Sequence, residues 1–82
     1  MSLGALMGSI GDVPRAREVF RRGALRHPLN ADLQYNLGVA CAIQGDLDQA
    51  KDAFEQALEI DPDHLKAREN LDALLGFLNS LE

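Results

Sequence analysis

The sequence predicts an all-α solenoid, and three observations carry that expectation. The chain matches itself when shifted by 34 residues, its segment boundaries carry Gly, Pro, Asp or Asn, and apolar residues recur at three- and four-residue spacing. No segment alternates apolar and polar residues as a half-buried strand does. The shift superposes Leu3 on Leu37, Gly4 on Gly38, Gly11 on Gly45, Asp12 on Asp46 and Ala16 on Ala50. It also superposes Phe20 on Phe54, Pro28 on Pro62, Asn36 on Asn70, Leu37 on Leu71 and Leu47 on Leu81. A fixed period of this length marks an array whose units bury their apolar faces by stacking on neighbours.

Each element has a local reason. A helix is expected over Ser2–Ile10, ended by Gly11-Asp12. Asp12 can cap the next helix, Val13–Arg26, because its carboxylate accepts amides left unpaired in a first turn, where Pro14 is tolerated. That helix places Ala16, Val19, Phe20, Gly23 and Ala24 on one stripe, and His27-Pro28 ends it, since the residue before proline is pushed out of the helical region. Asn30 caps Ala31–Gln44, with Leu33, Leu37, Ala40 and Cys41 inward. Gly45 stops that helix, and Asp46 caps Leu47–Ile60, with Ala50, Ala53, Phe54, Ala57 and Leu58 on one face. Asp61-Pro62 closes it, and a fifth helix over about Leu65–Leu78 starts near Asp63 or His64.

Composition narrows the functional classes. Eighty-two residues make one small domain. No apolar run is long enough to cross a bilayer, and the opening LGALMGSI lacks the basic flank and cleavage site of a signal peptide. The single Cys41 cannot form an intrachain disulfide, which favours a reducing compartment such as the cytoplasm. The net charge of −5 argues against a nucleic-acid binder. That charge is uneven: residues 13–28 hold five arginines against one acid, whereas residues 29–63 hold eight acids against one base. Stacked as neighbours, the segments would match charge across repeats, with Arg21 opposite Glu55, its counterpart one period later.

The residues that repeat resemble a known family. Asn36-Leu37-Gly38, Gly45-Asp46, Ala50, Phe54, Ala57 and Pro62 are similar to one complete tetratricopeptide repeat over residues 31–64, whose pattern is W-x2-L-G-x2-Y…A-x3-F…P. Residues 1–30 resemble a truncated first repeat through Leu3-Gly4, Gly11-Asp12, Ala16, Phe20 and Pro28, and residues 65–82 a half repeat through Asn70-Leu71. Gln34 replaces the motif's Trp, Cys41 its Tyr, and Asp72 stands where the half repeat should carry the small Gly. The resemblance implies a right-handed α-α superhelix of about two and a half repeats, a single domain spanning residues 1–82.

Chemistry is not expected of this chain. Cys41 falls on an inward stripe, where a small thiol packs as a hydrophobe. His27 and His64 lack the i, i+4 partner of a helical metal site, and Asp46, Asp61 and Asp63 read as caps. No catalytic residue, cofactor or metal is predicted.

The resemblance implies instead a protein–protein interaction module that holds a peptide or helix of a partner in a concave groove. Matched by period, the groove would be lined by Asp32, Tyr35, Asn36, Val39 and Ile43, then Lys66, Glu69, Asn70, Ala73 and Phe77, with Ala5 and Ser9 from the first helix. Asn36 offers an amide that can pair with both backbone groups of a peptide, and Tyr35 a ring with a polar tip. A clamp for a terminal carboxylate, which some relatives use, is disfavoured. Asn36 and Lys66 fit it, but Met1, Ala5 and Asn70 occupy the other three places. The alternative reading is structural: a fragment of a longer array, or a homodimer through the apolar terminal helix at Leu74, Leu75, Leu78 and Leu81.

Overall fold

The computed structural model describes residues 13–80, and these form four α-helices: α1 (Val13–Arg26), α2 (Ala31–Ile43), α3 (Leu47–Ile60) and α4 (Leu65–Ser80). Among the described residues there is no strand. The expected helix at Ser2–Ile10 and the Gly11-Asp12 break lie outside the described residues. Contacts run from each helix to its neighbours in sequence, α1 on α2, α2 on α3 and α3 on α4, as a stacked array requires.

Caps set the boundaries. Asn30 sits at the N-terminus of α2 in an extended conformation, and its side-chain oxygen accepts the Leu33 N–H at 3.1 Å. The end of α2 is a left-handed turn: Gly45 has φ of +83°, its N–H donates to Ala42 O at 3.0 Å, and the Asp46 N–H donates to Cys41 O at 2.9 Å. Gln44 closes this helix from just outside it, one residue short of the expected end. Asp46 then caps α3, its carboxylate accepting from the Gln49 N–H at 3.4 Å.

The core lies where α2, α3 and α4 meet. Val39, Cys41, Ala50, Phe54, Leu71 and Leu74 form one buried cluster, and Ala31, Ala57 and Ala67 a second. Phe54 is only 2% exposed. Its ring packs so close to Gly38 that a Cβ there would lie 2.6 Å from the ring edge. This is why the motif needs glycine at that place and why α2 and α3 approach closely.

Two expectations need correction. Val19, placed on the inward stripe of α1, is 59% exposed; the segment expected to pair with that flank lies outside the described residues. Arg21 does not reach across to Glu55. It pairs with Glu18 of its own helix at 2.9 Å, where Arg22 also binds at 3.0 Å, and Glu55 pairs with Lys51 at 3.5 Å. Partners one helical turn away are reached without ordering a long side chain across a gap. The inter-repeat charge match is made by Arg17 instead, which grips Asp46 at 2.9 Å and Gln44 at 3.0 Å. Arg17 thereby ties α1 to the α2–α3 turn.

Candidate functional site

The face shared by α2 and α4 carries the residues expected to line the groove, and a chain of contacts joins the two helices there. Phe54, in the core, lies under the Tyr35 ring with centroids 5.9 Å apart. Tyr35 in turn lies 5.2 Å from the imidazole of His64. The His64 Nε2 meets the Asp32 carboxylate at 2.7 Å. On the other side, the Asn70 amide donates to Lys66 O at 2.7 Å and to the Tyr35 hydroxyl at 3.4 Å. A path therefore leads from the buried Phe54 ring through Tyr35 to both helices of the face.

His64 is the residue that spacing alone undervalued. Its Nδ1 accepts the Ala67 N–H at 3.1 Å, so it caps α4 as Asn30 caps α2 one period earlier. The 34-residue shift that pairs His64 with Asn30 was the signal for that role. An accepting Nδ1 carries no proton, which leaves Nε2–H to donate to Asp32. The imidazole–carboxylate pair thus serves as a structural clasp between the start of α2 and the start of α4.

The expected lining residues divide into three groups. Asp32 and Asn70 are brought together with Tyr35 and His64: one Asp32 oxygen takes the His64 bond while the side chain stays exposed, and the Asn70 amide nitrogen donates within the chain. Val39 is 5% exposed and belongs to the core, with Ile43 packed half-buried beside it. Tyr35 and Asn36 are half-buried, while Lys66, Glu69, Ala73 and Phe77 are exposed, Phe77 at 52%. The Asn36 side chain makes no hydrogen bond to another described residue, yet it is not a buried orphan. Ala5 and Ser9 lie outside the described residues.

The residues named for self-association separate as well. Leu74 is in the chain's own core at 9% exposure, Leu75 and Leu78 pack half-buried against that core, and Leu81 lies outside the described residues. The first face of α4 is therefore covered by α3, and its apolar exposure is carried by Leu65 and Phe77.

Groups with catalytic potential are held in structural settings. Cys41 is 1% exposed, and burial pushes its thiol above the ordinary value of 9.0, away from the nucleophilic thiolate. His27 is exposed in the α1–α2 turn. Among the described residues no group of three or more His, Cys, Asp or Glu is placed to hold a metal ion, and no helix is long and apolar enough to cross a membrane.

Comparison with known proteins agrees with the repeat geometry. Residues 31–64, which span α2, α3 and the turn after them, match the family model of the tetratricopeptide repeat. No curated protein matches the chain significantly.

Proposed function

Because residues 31–64 match the family model of the tetratricopeptide repeat, we propose that this chain belongs to that family of protein-interaction modules and is a non-catalytic binder of a partner's peptide or helix. The ligand lies along the α2–α4 face. Asn36 pairs with its backbone, Tyr35 supplies a ring and a free hydroxyl hydrogen, Lys66 meets an acidic group, and Phe77 covers an apolar side chain. The observation that carries this reading is the Asn36 amide beside Tyr35, which makes no hydrogen bond to another described residue, on a face where Asp32, His64, Tyr35 and Asn70 are engaged with one another and Lys66 is exposed.

The test uses the chain's own fluorophore. Tyr35 is the only tyrosine and there is no tryptophan, so ultraviolet emission reports on this face directly. A ligand selected from a peptide library on the whole chain should change Tyr35 emission, and Asn36→Ala should weaken it by about tenfold, the loss of one or two hydrogen bonds. Tyr35→Phe is the companion variant, because it keeps the contacts with Phe54 and His64 and loses the hydroxyl; since it also removes the fluorophore, ligand affinities of the chain and both variants are compared by titration calorimetry. Far-UV circular dichroism checks that both fold. A selected ligand whose affinity neither variant alters does not use this face, and the reading then fails.

A further inference from the structure

Two turns of this chain are alike in geometry and opposite in character. After α1, the His27 N–H donates to Gly23 O at 2.8 Å and the Asn30 N–H to His27 O at 3.0 Å. One period later, the Asp61 N–H donates to Ala57 O at 2.9 Å and the His64 N–H to Asp61 O at 3.0 Å. The caps that follow are equivalent too, each accepting a backbone N–H three residues on at 3.1 Å. Onto this shared frame the sequence places Leu25-Arg26-His27-Pro28-Leu29 the first time and Glu59-Ile60-Asp61-Pro62-Asp63 the second.

The comparison isolates what the fold needs from what it does not. Leu25 and Leu29 are 77% and 83% exposed, the two highest values among the large exposed hydrophobics. Their counterparts Glu59 and Asp63 are exposed as well, in a repeat whose two helices, α2 and α3, are both in place. The turn therefore folds with carboxylates at these places, and packing within a complete repeat leaves them open to solvent. A single exposed leucine needs no explanation. Two leucines flanking one turn, where the sister turn carries two acids, call for a contact outside the chain.

The sister turn supplies the complementary chemistry. Arg26, His27 and Leu29 form one wall of an open cavity of about 690 Å³, and Ile60 and Asp61 form part of the other. Arg26 makes no ion pair with another described residue, and neither do Glu59, Asp61 and Asp63. A contact between identical copies about a two-fold axis needs both halves of every pair on one surface. This edge has Arg26 and Leu29 on one wall and Asp61 on the other, with Glu59 and Asp63 two residues to either side of Asp61 in the sequence.

We propose that this edge is a self-complementary interface for a second copy of the chain. In the pair, the acidic turn of one copy lies on the leucine–arginine turn of the other, and the rotation repeats the contact in reverse. Leu25 and Leu29 leave water, and Arg26 faces Glu59 and Asp63 across the axis. The acids also answer an objection from net charge: copies carrying −5 repel at a distance, but the arginine of each meets carboxylates of the other where they touch.

Sedimentation equilibrium of the whole chain, from about 10 μM to about 1 mM, tests this over the range where weak dimers form. The expected result is a rise from the 8.9 kDa of one chain towards twice that mass. Leu25→Glu with Leu29→Asp installs the residues the sister turn already carries, so the helices should persist by circular dichroism while the dissociation constant rises about tenfold or more. Arg26→Glu should weaken the pair, and adding Glu59→Arg should restore it. A chain that stays monomeric throughout overturns the proposal, as does a dimer indifferent to the leucine exchange, which would join through another face such as α4. Peptide capture on the α2–α4 face is read separately through Asn36→Ala, so either idea can fail without the other.

Discussion

Three helical glycines of this chain should respond to the same substitution with different signs. At Gly38 a Cβ would stand 2.6, 2.7 and 3.1 Å from three carbons of the Phe54 ring. That ring is 2% exposed and has Tyr35 against it, so it has little room to withdraw. At Gly23 the neighbour is the flexible end of Leu33 at 3.3 Å, and at Gly76 no atom of another described residue lies within 4 Å. Replacing glycine by alanine inside a helix contributes about 1 kcal/mol of stability. Forcing a methyl group into a filled core costs about 1–3 kcal/mol. Gly76→Ala should therefore stabilise by close to 1 kcal/mol, Gly23→Ala should change little, and Gly38→Ala should lose about 1 kcal/mol net. For a chain of this size 1 kcal/mol moves the melting temperature by about 4–8 °C, so Gly76→Ala and Gly38→Ala should melt roughly 10 °C apart by circular dichroism. In a Phe54→Leu background the Gly38→Ala penalty should shrink or reverse, because the ring that opposes the methyl is gone. If Gly38→Ala raises the melting temperature as Gly76→Ala does, the close approach of α2 and α3 at Phe54 is not what fixes that glycine.

Two further outcomes follow from groups whose protonation the fold alters. Cys41, buried and held above its ordinary value of 9.0, stays a thiol at pH 8 and should react with a disulfide reagent about a hundredfold more slowly than in denaturant; rapid labelling of the folded chain contradicts its placement. Glu18 is held below its ordinary value of 4.5 by hydrogen bonds from Arg22 and then Arg21. A depressed carboxylate contributes stability that is present above the unfolded value and lost as pH falls through the folded one, so the effect belongs to the region below pH 4.5. The Glu18 carboxyl resonance should titrate with a midpoint under 4.5 that Arg22→Gln moves upward, and a midpoint at or above 4.5 removes the pairing.

Much of this architecture was legible in the sequence because helix ends are written in local chemistry. The bounds of α1 and α3 agree residue for residue with Val13–Arg26 and Leu47–Ile60, since Asp46, Pro28 and Pro62 act within one turn of where they stand. The period singled out Gly38 and Phe54 as repeated positions, but that the Phe54 ring packs on Gly38 is visible only in the structure. The period could not assign side-chain partners. Periodicity puts Asp32, Tyr35 and Asn70 on one face, but whether they point at a ligand or at one another depends on rotamers, and here His64 and Tyr35 claim them. Val39 and Leu74 show the same limit. A face inferred from one helix says nothing of how far its neighbour wraps around it, and both residues end in the core. Arg17 was hidden among five similar arginines, distinguishable only by which one can reach the α2–α3 turn.

The position of Tyr35 has a consequence for how occupancy can be measured. One side of its ring rests on Phe54, the central side chain of the core, and the other borders His64, which starts α4. A ligand that settles against this ring also restrains the packing beneath it and the helix beside it. On the proposed reading, recognition and cohesion draw on the same side chains. Free energy gained at the surface then returns as resistance to melting, growing with the logarithm of ligand concentration above its dissociation constant. For a molecule this small, where a few kilocalories separate folded from unfolded, a thermal shift becomes a direct gauge of how full the face is.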